Sequence, residues 1–218
     1  MDIKKIFSNQ RTIVIAALVL ICIAFAAITP DKFLQVTTFT NIAKSAYYVA
    51  FMAIGVTFVI GTGGIDLSIG TIAICSALIG GTLMEKGVPM GIVLLVILLS
   101  GALFGLINGL MVAKMGLPAF IATLGTMMMS RGLGSIVSGT KTISFPQGDS
   151  AGSWFREFFM ITKDGGILPK NFPTGFVLLA VIAVVMALIL NKTKTGRYIL
   201  SIGSNKEATR LSGINVVK

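Results

Sequence analysis

No histidine occurs among the 218 residues, which excludes imidazole metal sites and histidine-based proton transfer. Cysteine is nearly as scarce. Cys22 and Cys75 both sit in apolar runs, where a free thiol behaves as a small hydrophobe, so no disulfide framework is expected. Charge is thin as well, at 12% of residues against roughly 25% in soluble domains. What fills the space is apolar: 55% of the chain is hydrophobic and the mean hydropathy is +0.92. A disordered chain needs low hydrophobicity, and a soluble domain needs more polar surface than this chain has. The chain therefore reads as a polytopic integral membrane protein. Its net charge of +10 comes from Lys and Arg flanking the apolar blocks, so the lipid bilayer explains it and nucleic acid does not.

A membrane-crossing helix needs roughly 20 mostly apolar residues, with about 17 sufficient. Six spans meet this: 13–29, 44–60, 66–84, 90–112, 117–140 and 174–190. The expected architecture is all-α, with a transmembrane domain over 1–190, an outer loop over 141–173 and a cytoplasmic segment over 191–218. Loop charge sets the orientation. With the N-terminus inside, Lys4, Lys5, Arg11, Lys114, Lys192, Lys194, Arg197, Lys206, Arg210 and Lys218 are cytoplasmic. Lys32, Lys86, Lys141, Arg156, Lys163 and Lys170 are outside, and Asp31, Glu85, Asp149, Glu157 and Asp164 accompany them. Both termini are thus expected in the cytoplasm. Lys4, Lys5 and Ala24-Phe25-Ala26 imitate a secretory signal. The 17-residue apolar stretch is long for one, and more spans follow, so the first helix is expected to stay uncleaved.

Several residues stand out against this background. Gly61-Thr62-Gly63-Gly64 lacks the Lys-Ser/Thr of a phosphate-binding loop, so the chain holds no ATP of its own in that way. Asp66, at a span boundary, is either an N-cap of the third span or a polar group on a path through the membrane. Gly101, Gly105 and Gly109 form a small-residue stripe that lets another helix approach closely. Asn108 beside them is either an interhelical hydrogen-bonding group or a path residue. Arg131 sits deep in the fifth span, with Thr126, Ser130 and Ser135 on the same span. It either snorkels to the outer interface or faces a water-filled cavity. The aromatic, Pro- and Gly-rich loop 141–173 is a cover over the outer mouth or a docking surface. Ser204-Asn205-Lys206-Glu207 fits a capping box, with Ser204 as cap and Glu207 reaching back. Gly213 stands at the natural stop, so 205–212 is expected as a short helix. A helix that short needs something to pack on, either the membrane face or a cytoplasmic partner.

These residues occur in blocks: Gly64-Ile65-Asp66-Leu67-Ser68-Ile69-Gly70, Gly105-Leu106-Ile107-Asn108-Gly109, Gly116 to Thr126, Arg131-Gly132-Leu133, Thr195-Gly196-Arg197-Tyr198 and Gly203 to Ile214. In kind and order they resemble the permease subunits of bacterial monosaccharide ABC importers, the ribose-type group. The resemblance implies a multi-pass protein of the bacterial inner membrane that pairs with a second permease subunit. It implies an ABC ATP-binding subunit on the cytoplasmic side and an extracytoplasmic sugar-binding protein outside. Gly203, Ser204, Asn205, Lys206, Glu207, Ala208, Arg210, Leu211 and Gly213 would form the coupling segment against the ATPase. Asp66, Asn108, Thr126 and Arg131 are the substrate-path candidates. The permease itself would catalyse no covalent chemistry and need no cofactor. Such permeases usually continue with further membrane helices, so the resemblance also implies a C-terminally short chain. An assembly or scaffold role without transport stays open beside the transport role.

The orientation has a direct check. An epitope within 141–173 is expected to be cut by protease added outside and protected from protease added only on the cytoplasmic side. Cleavage in the reverse pattern inverts the assignment.

Overall fold

The computed structural model describes residues 10–147, 150, 152–159 and 174–216. Lys4, Lys5, Asp149, Lys163, Asp164, Lys170 and Lys218, which enter the orientation argument, lie outside the described residues, as does most of the outer loop beyond 159. Helix is the only regular structure among the described residues: α1 (Gln10–Ile28), α2 (Pro30–Phe33), α3 (Val36–Gly61), α4 (Ile69–Glu85), α5 (Met90–Ala113), α6 (Ala119–Ser138), α7 (Trp154–Phe159), α8 (Thr174–Lys192), α9 (Lys194–Ser204) and α10 (Lys206–Leu211). The protein is all-α and polytopic. Each expected span falls on an apolar helix. Four of these, α3, α5, α6 and α8, are long and apolar enough to cross a membrane, while Thr12–Ile28 and Ile69–Glu85 are shorter.

The boundaries depart from expectation for local reasons. The second helix begins at Val36 and not at 44. Its first turns carry Thr37, Thr38 and Thr40, which lower an apolar count without breaking a helix. Thr40 Oγ1 donates back to the Val36 carbonyl at 2.8 Å, as hydroxyls do in membrane helices. The third helix begins at Ile69, because 66–68 form a turn of their own. Pro89 and Pro118 stand at the N-caps of α5 and α6, where a missing N–H costs nothing. The outer loop, expected as irregular chain, contains the short helix α7.

The chain forms two compact units, 1–46 and 47–218, with the boundary inside α3. In the first unit, Phe33 stacks on Phe25 at 5.8 Å and meets Phe39 at 6.0 Å, and Thr38 Oγ1 donates to the Lys32 carbonyl at 2.7 Å. The second unit is built on α4, which packs against both α5 and α6.

This core inverts the soluble rule. On α5, Leu98 is 71% exposed while Asn108 is 7% exposed. On α6 the buried residues are Ala122, Thr123, Thr126, Ser130 and Gly134, a helical stripe without one large apolar side chain. Lipid is as apolar as leucine, so helices gain little by burying leucine against one another. They gain by bringing backbones close and pairing polar groups. Gly80 and Gly81 show the close approach. A Cβ on Gly80 would run into Ile97 and Val93, and one on Gly81 into Ile143. The latter contact sets Ile143 against the C-terminal part of α4, and Gly152 packs on Met90 at the start of α5.

The crowding at Gly80 sets an expected outcome. Gly80→Val overpacks the α4–α5 contact and should lower unfolding free energy by about 1–3 kcal/mol. Gly105→Ala, with nothing within 4 Å, should be neutral or stabilising by up to about 1 kcal/mol. Reversible unfolding in mixed micelles measures both.

Candidate functional site

At the end of the core where α4 and α6 begin and α5 finishes, polar side chains from four segments converge. Asp66 Oδ1 accepts two hydrogen bonds from Ser68, one from the backbone N–H at 2.7 Å and one from the hydroxyl at 2.6 Å. This is a local Asx-type turn, and it corrects the N-cap expectation. The cap position of α4 is Ser68, whose side chain does not cap either. Its hydroxyl is already committed, because it also accepts from Asn108 Nδ2 at 2.9 Å. The other end of the Asn108 amide accepts from the Thr126 hydroxyl. One side chain of α5 thus joins the head of α4 to α6.

Flanking bonds extend the network. Thr123 Oγ1 accepts from the Leu67 N–H at 3.3 Å and shares its own proton between the Ala119 and Ile65 carbonyls. Ser130 donates to Thr71 Oγ1 at 2.8 Å, and Thr71 donates to the Ser68 carbonyl at 2.8 Å. Ser68, Thr123, Thr126, Ser130 and Asn108 are all buried. Asn108 is satisfied by Ser68 and Thr126, Thr123 by the Leu67 and Ile65 backbone and its own helix, and Ser130 by Thr71. In this conformation the cluster is a closed clasp. Asn108 lies five residues from the end of α5, about 7.5 Å along the axis.

Of the four path candidates, the structure brings three together, Asp66, Asn108 and Thr126. Arg131 is apart from them and exposed. It stands twelve residues into α6, about 18 Å along it, towards the opposite end. The Gly stripe divides too. Gly101 faces Ser76 Oγ, 3.7 Å from where its Cβ would be, and that hydroxyl is buried without a hydrogen-bond partner. Gly105 and Gly109 face open space.

The coupling candidates occupy α9, α10 and the turn after them. The capping box is displaced by one residue. Ser204 is the last residue of α9, and Asn205 is the cap of α10, its Oδ1 accepting from the Ala208 N–H at 2.9 Å. Glu207 does not reach back. It holds Arg210 through two bonds, at 2.6 and 3.2 Å, and raises the guanidinium's already high pKa. Asparagine binds an N3 amide as well as serine does, so one sequence satisfied two registers and geometry chose the later. Gly213 adopts φ +80° and closes the helix, donating to the Arg210 carbonyl at 3.0 Å. Leu211 is 77% exposed. Between α9 and α10 runs an open groove of about 440 Å³, lined among others by Leu200, Ser201, Ala208, Thr209 and Ile214.

Ser68, Thr71 and Thr123 were not singled out by sequence reasoning. The available signal was the hydroxyl and small-residue period Thr123, Thr126, Ser130, Gly134, visible only when polar residues in a membrane helix are read as its buried face.

A family model described as the permease component of the branched-chain amino acid transport system matches residues 38–218, and the chain belongs to this family. Among individual relatives, a fructose import permease protein of Bifidobacterium longum is 38% identical over 170 residues, covering 78% of this chain and 49% of that protein. A ribose import permease protein of Haemophilus influenzae is 35% identical over 217 residues, 100% of this chain and 64% of the relative. A fructose import permease protein of Rhizobium meliloti is 34% identical over 212 residues, 97% and 58% respectively. The chain spans about half to two thirds of the length of these relatives. No solved structure matches it significantly.

The clasp predicts a modest, specific cost. Interhelical hydrogen bonds in membranes average about 0.6 kcal/mol and reach about 1.7. After Asn108→Leu, Ser68 keeps Asp66, and Thr126 keeps the Ala122 carbonyl at 3.0 Å. The loss in unfolding free energy should therefore be about 1–2 kcal/mol rather than the larger cost of stranded groups. Arg131→Ala, outside the clasp, should stay within about 0.5 kcal/mol of wild type.

Proposed function

We propose that the chain is a transmembrane permease subunit of an ABC-type importer, contributing to the translocation path of a monosaccharide such as ribose or fructose. The carrying observation is its alignment with sugar import permeases over nearly its whole length. ATP hydrolysis belongs to a separate ATP-binding subunit on the cytoplasmic side of a bacterial inner membrane. An extracytoplasmic sugar-binding protein delivers the substrate at the other side.

The structural features fit these roles. Transport by alternating access needs a closure at each end of the path. The Asp66–Ser68–Asn108–Thr126 clasp supplies one at the end nearest α9 and α10. Arg131, exposed on α6, either snorkels to the outer interface or faces water in the path. Gly105 and Gly109 leave room for a helix of a second permease subunit. Leu211, Arg210 and the groove beside α10 present an apolar tip with polar walls to the ATPase. Gly213 ends the helix so that this tip stands free.

Affinity purification of the tagged chain in mild detergent is expected to retain an ABC ATP-binding subunit. Leu211→Asp should reduce the retained ATPase at least about tenfold, equivalent to about 1.4 kcal/mol of binding, without changing membrane insertion. Properly inserted chain that retains no ATP-binding subunit overturns the importer reading.

A further inference from the structure

The coupling candidates were grouped as an ATPase-facing surface, but Gly203 does not fit that description. The position its Cβ would take is filled by the Gly61 carbonyl group, and the Gly63 nitrogen lies 3.2 Å from it. From the other side, a Cβ on Gly63 would sit 3.7 Å from both Gly203 Cα and its carbonyl oxygen. A Cβ on Gly61 would sit 3.0 Å from Ile199 Cγ2 of α9. At Gly203 the last turn of α9 therefore meets Gly61 and Gly63 backbone to backbone, in a seam with no room for a Cβ on Gly203, while the Ile199 side chain packs beside Gly61.

The seam leads into the clasp through a few residues. Gly63 and Gly64 close the end of α3, with their N–H groups donating to the Ile60 and Val59 carbonyls at 2.8 and 3.2 Å. Ile65 and Leu67 are held by Thr123, Asp66 holds Ser68, and Ser68 is held by Asn108. In the other direction, Gly203 is two residues from Asn205, the cap of α10. A displacement of α10 therefore has a short, stiff route to the clasp, made of backbone contacts and short-range hydrogen bonds.

We propose that Gly203 is a positioning residue. Its seam with Gly61 and Gly63 ties the α9–α10 segment to the 62–68 turn, so that movement of α10 loosens or tightens the Asp66–Ser68–Asn108–Thr126 clasp. The mechanical tie stands on the contacts alone. Its use, opening the path in response to ATP, rests on the importer reading above.

Alanine is the sensitive probe. Gly203 is helical without a positive φ, and alanine is the better helix former. Without the seam, Gly203→Ala would firm up α9 and disturb nothing else. With the seam, the added methyl pushes α9 off α3.

Hydrogen exchange on the purified full chain in detergent reads this without any partner. In Gly203→Ala, amides of 62–68 should exchange at least about tenfold faster, while the far ends of α4 and α5 stay unchanged. Gly132→Ala, with open space around it, serves as the control and should change neither region. Coupling is reciprocal, so Thr123→Val, which frees Ile65 and Leu67 of the 62–68 turn from α6, should speed exchange in 199–204. This second variant decides the matter if Gly203→Ala fails to fold. Acceleration confined to the neighbourhood of each substitution overturns the proposal. Sugar uptake by the wild-type chain reconstituted with its ATP-binding and sugar-binding partners is the separate arm. Its absence overturns the importer reading and leaves the exchange result standing. Where wild type transports, Gly203→Ala should retain the ATPase and lose most of the uptake, and full uptake would overturn the proposed use of the seam.

Discussion

The Asn108 amide cannot be solvated by hydrocarbon, and the packing of α4, α5 and α6 follows from where its two ends are satisfied. Its NH₂ is taken by Ser68 at the head of α4, and its carbonyl by Thr126 of α6. Any slide or rotation of one helix against the other two would strand a group that has no water to fall back on. Hydrophobic matching imposes a weaker register, because apart from Met90, Val93 and Phe104 of α5 the large apolar residues of these helices mostly point outward into a medium as apolar as themselves. Small residues then set how near the helices come, as at Gly80 against Ile97 and Gly134 against Leu78.

The same rule of close backbone approach recurs at the end of the bundle. Gly203 lets the last turn of α9 meet Gly61 and Gly63 at the end of α3 backbone to backbone. The 62–68 turn is consequently held from two sides, by α9 through glycine and by α5 and α6 through hydroxyl and amide groups. Gly203 of the coupling candidates and Asp66, Asn108 and Thr126 of the path candidates are thereby linked through the 62–68 turn.

Composition and apolar run length were enough to find every long helix. A membrane-spanning helix is defined by a length set by the bilayer, which one sequence displays directly. The edges were less legible. α3 begins at Val36, earlier than a hydropathy count places it, because that count treats Thr37, Thr38 and Thr40 as interruptions, whereas Thr40 bonds back to Val36 within the helix. The capping box was placed one residue early because Ser204 and Asn205 are both good caps, and the choice depends on how α9 ends against Gly61, a contact about 140 residues away in sequence. Asp66, Asn108 and Thr126 were legible as polar residues out of place. That Ser68 links Asp66 to Asn108 and Asn108 binds Thr126, and that Arg131 does not join them, depends on helix rotation, which the outward-facing leucines leave undetermined. The Gly101–Gly105–Gly109 stripe was visible by spacing, yet within this chain only Gly101 meets another helix.

The claim that Asn108 joins three helices is tested most directly by a double-mutant cycle between Ser68→Ala and Thr126→Val, measured by reversible unfolding in mixed micelles. The two side chains each bond Asn108 and do not bond each other. If the amide bridges them, the losses should be non-additive by about 0.5 kcal/mol or more, and the coupling should vanish in an Asn108→Leu background. Losses that add within about 0.3 kcal/mol, with or without Asn108, would contradict the account.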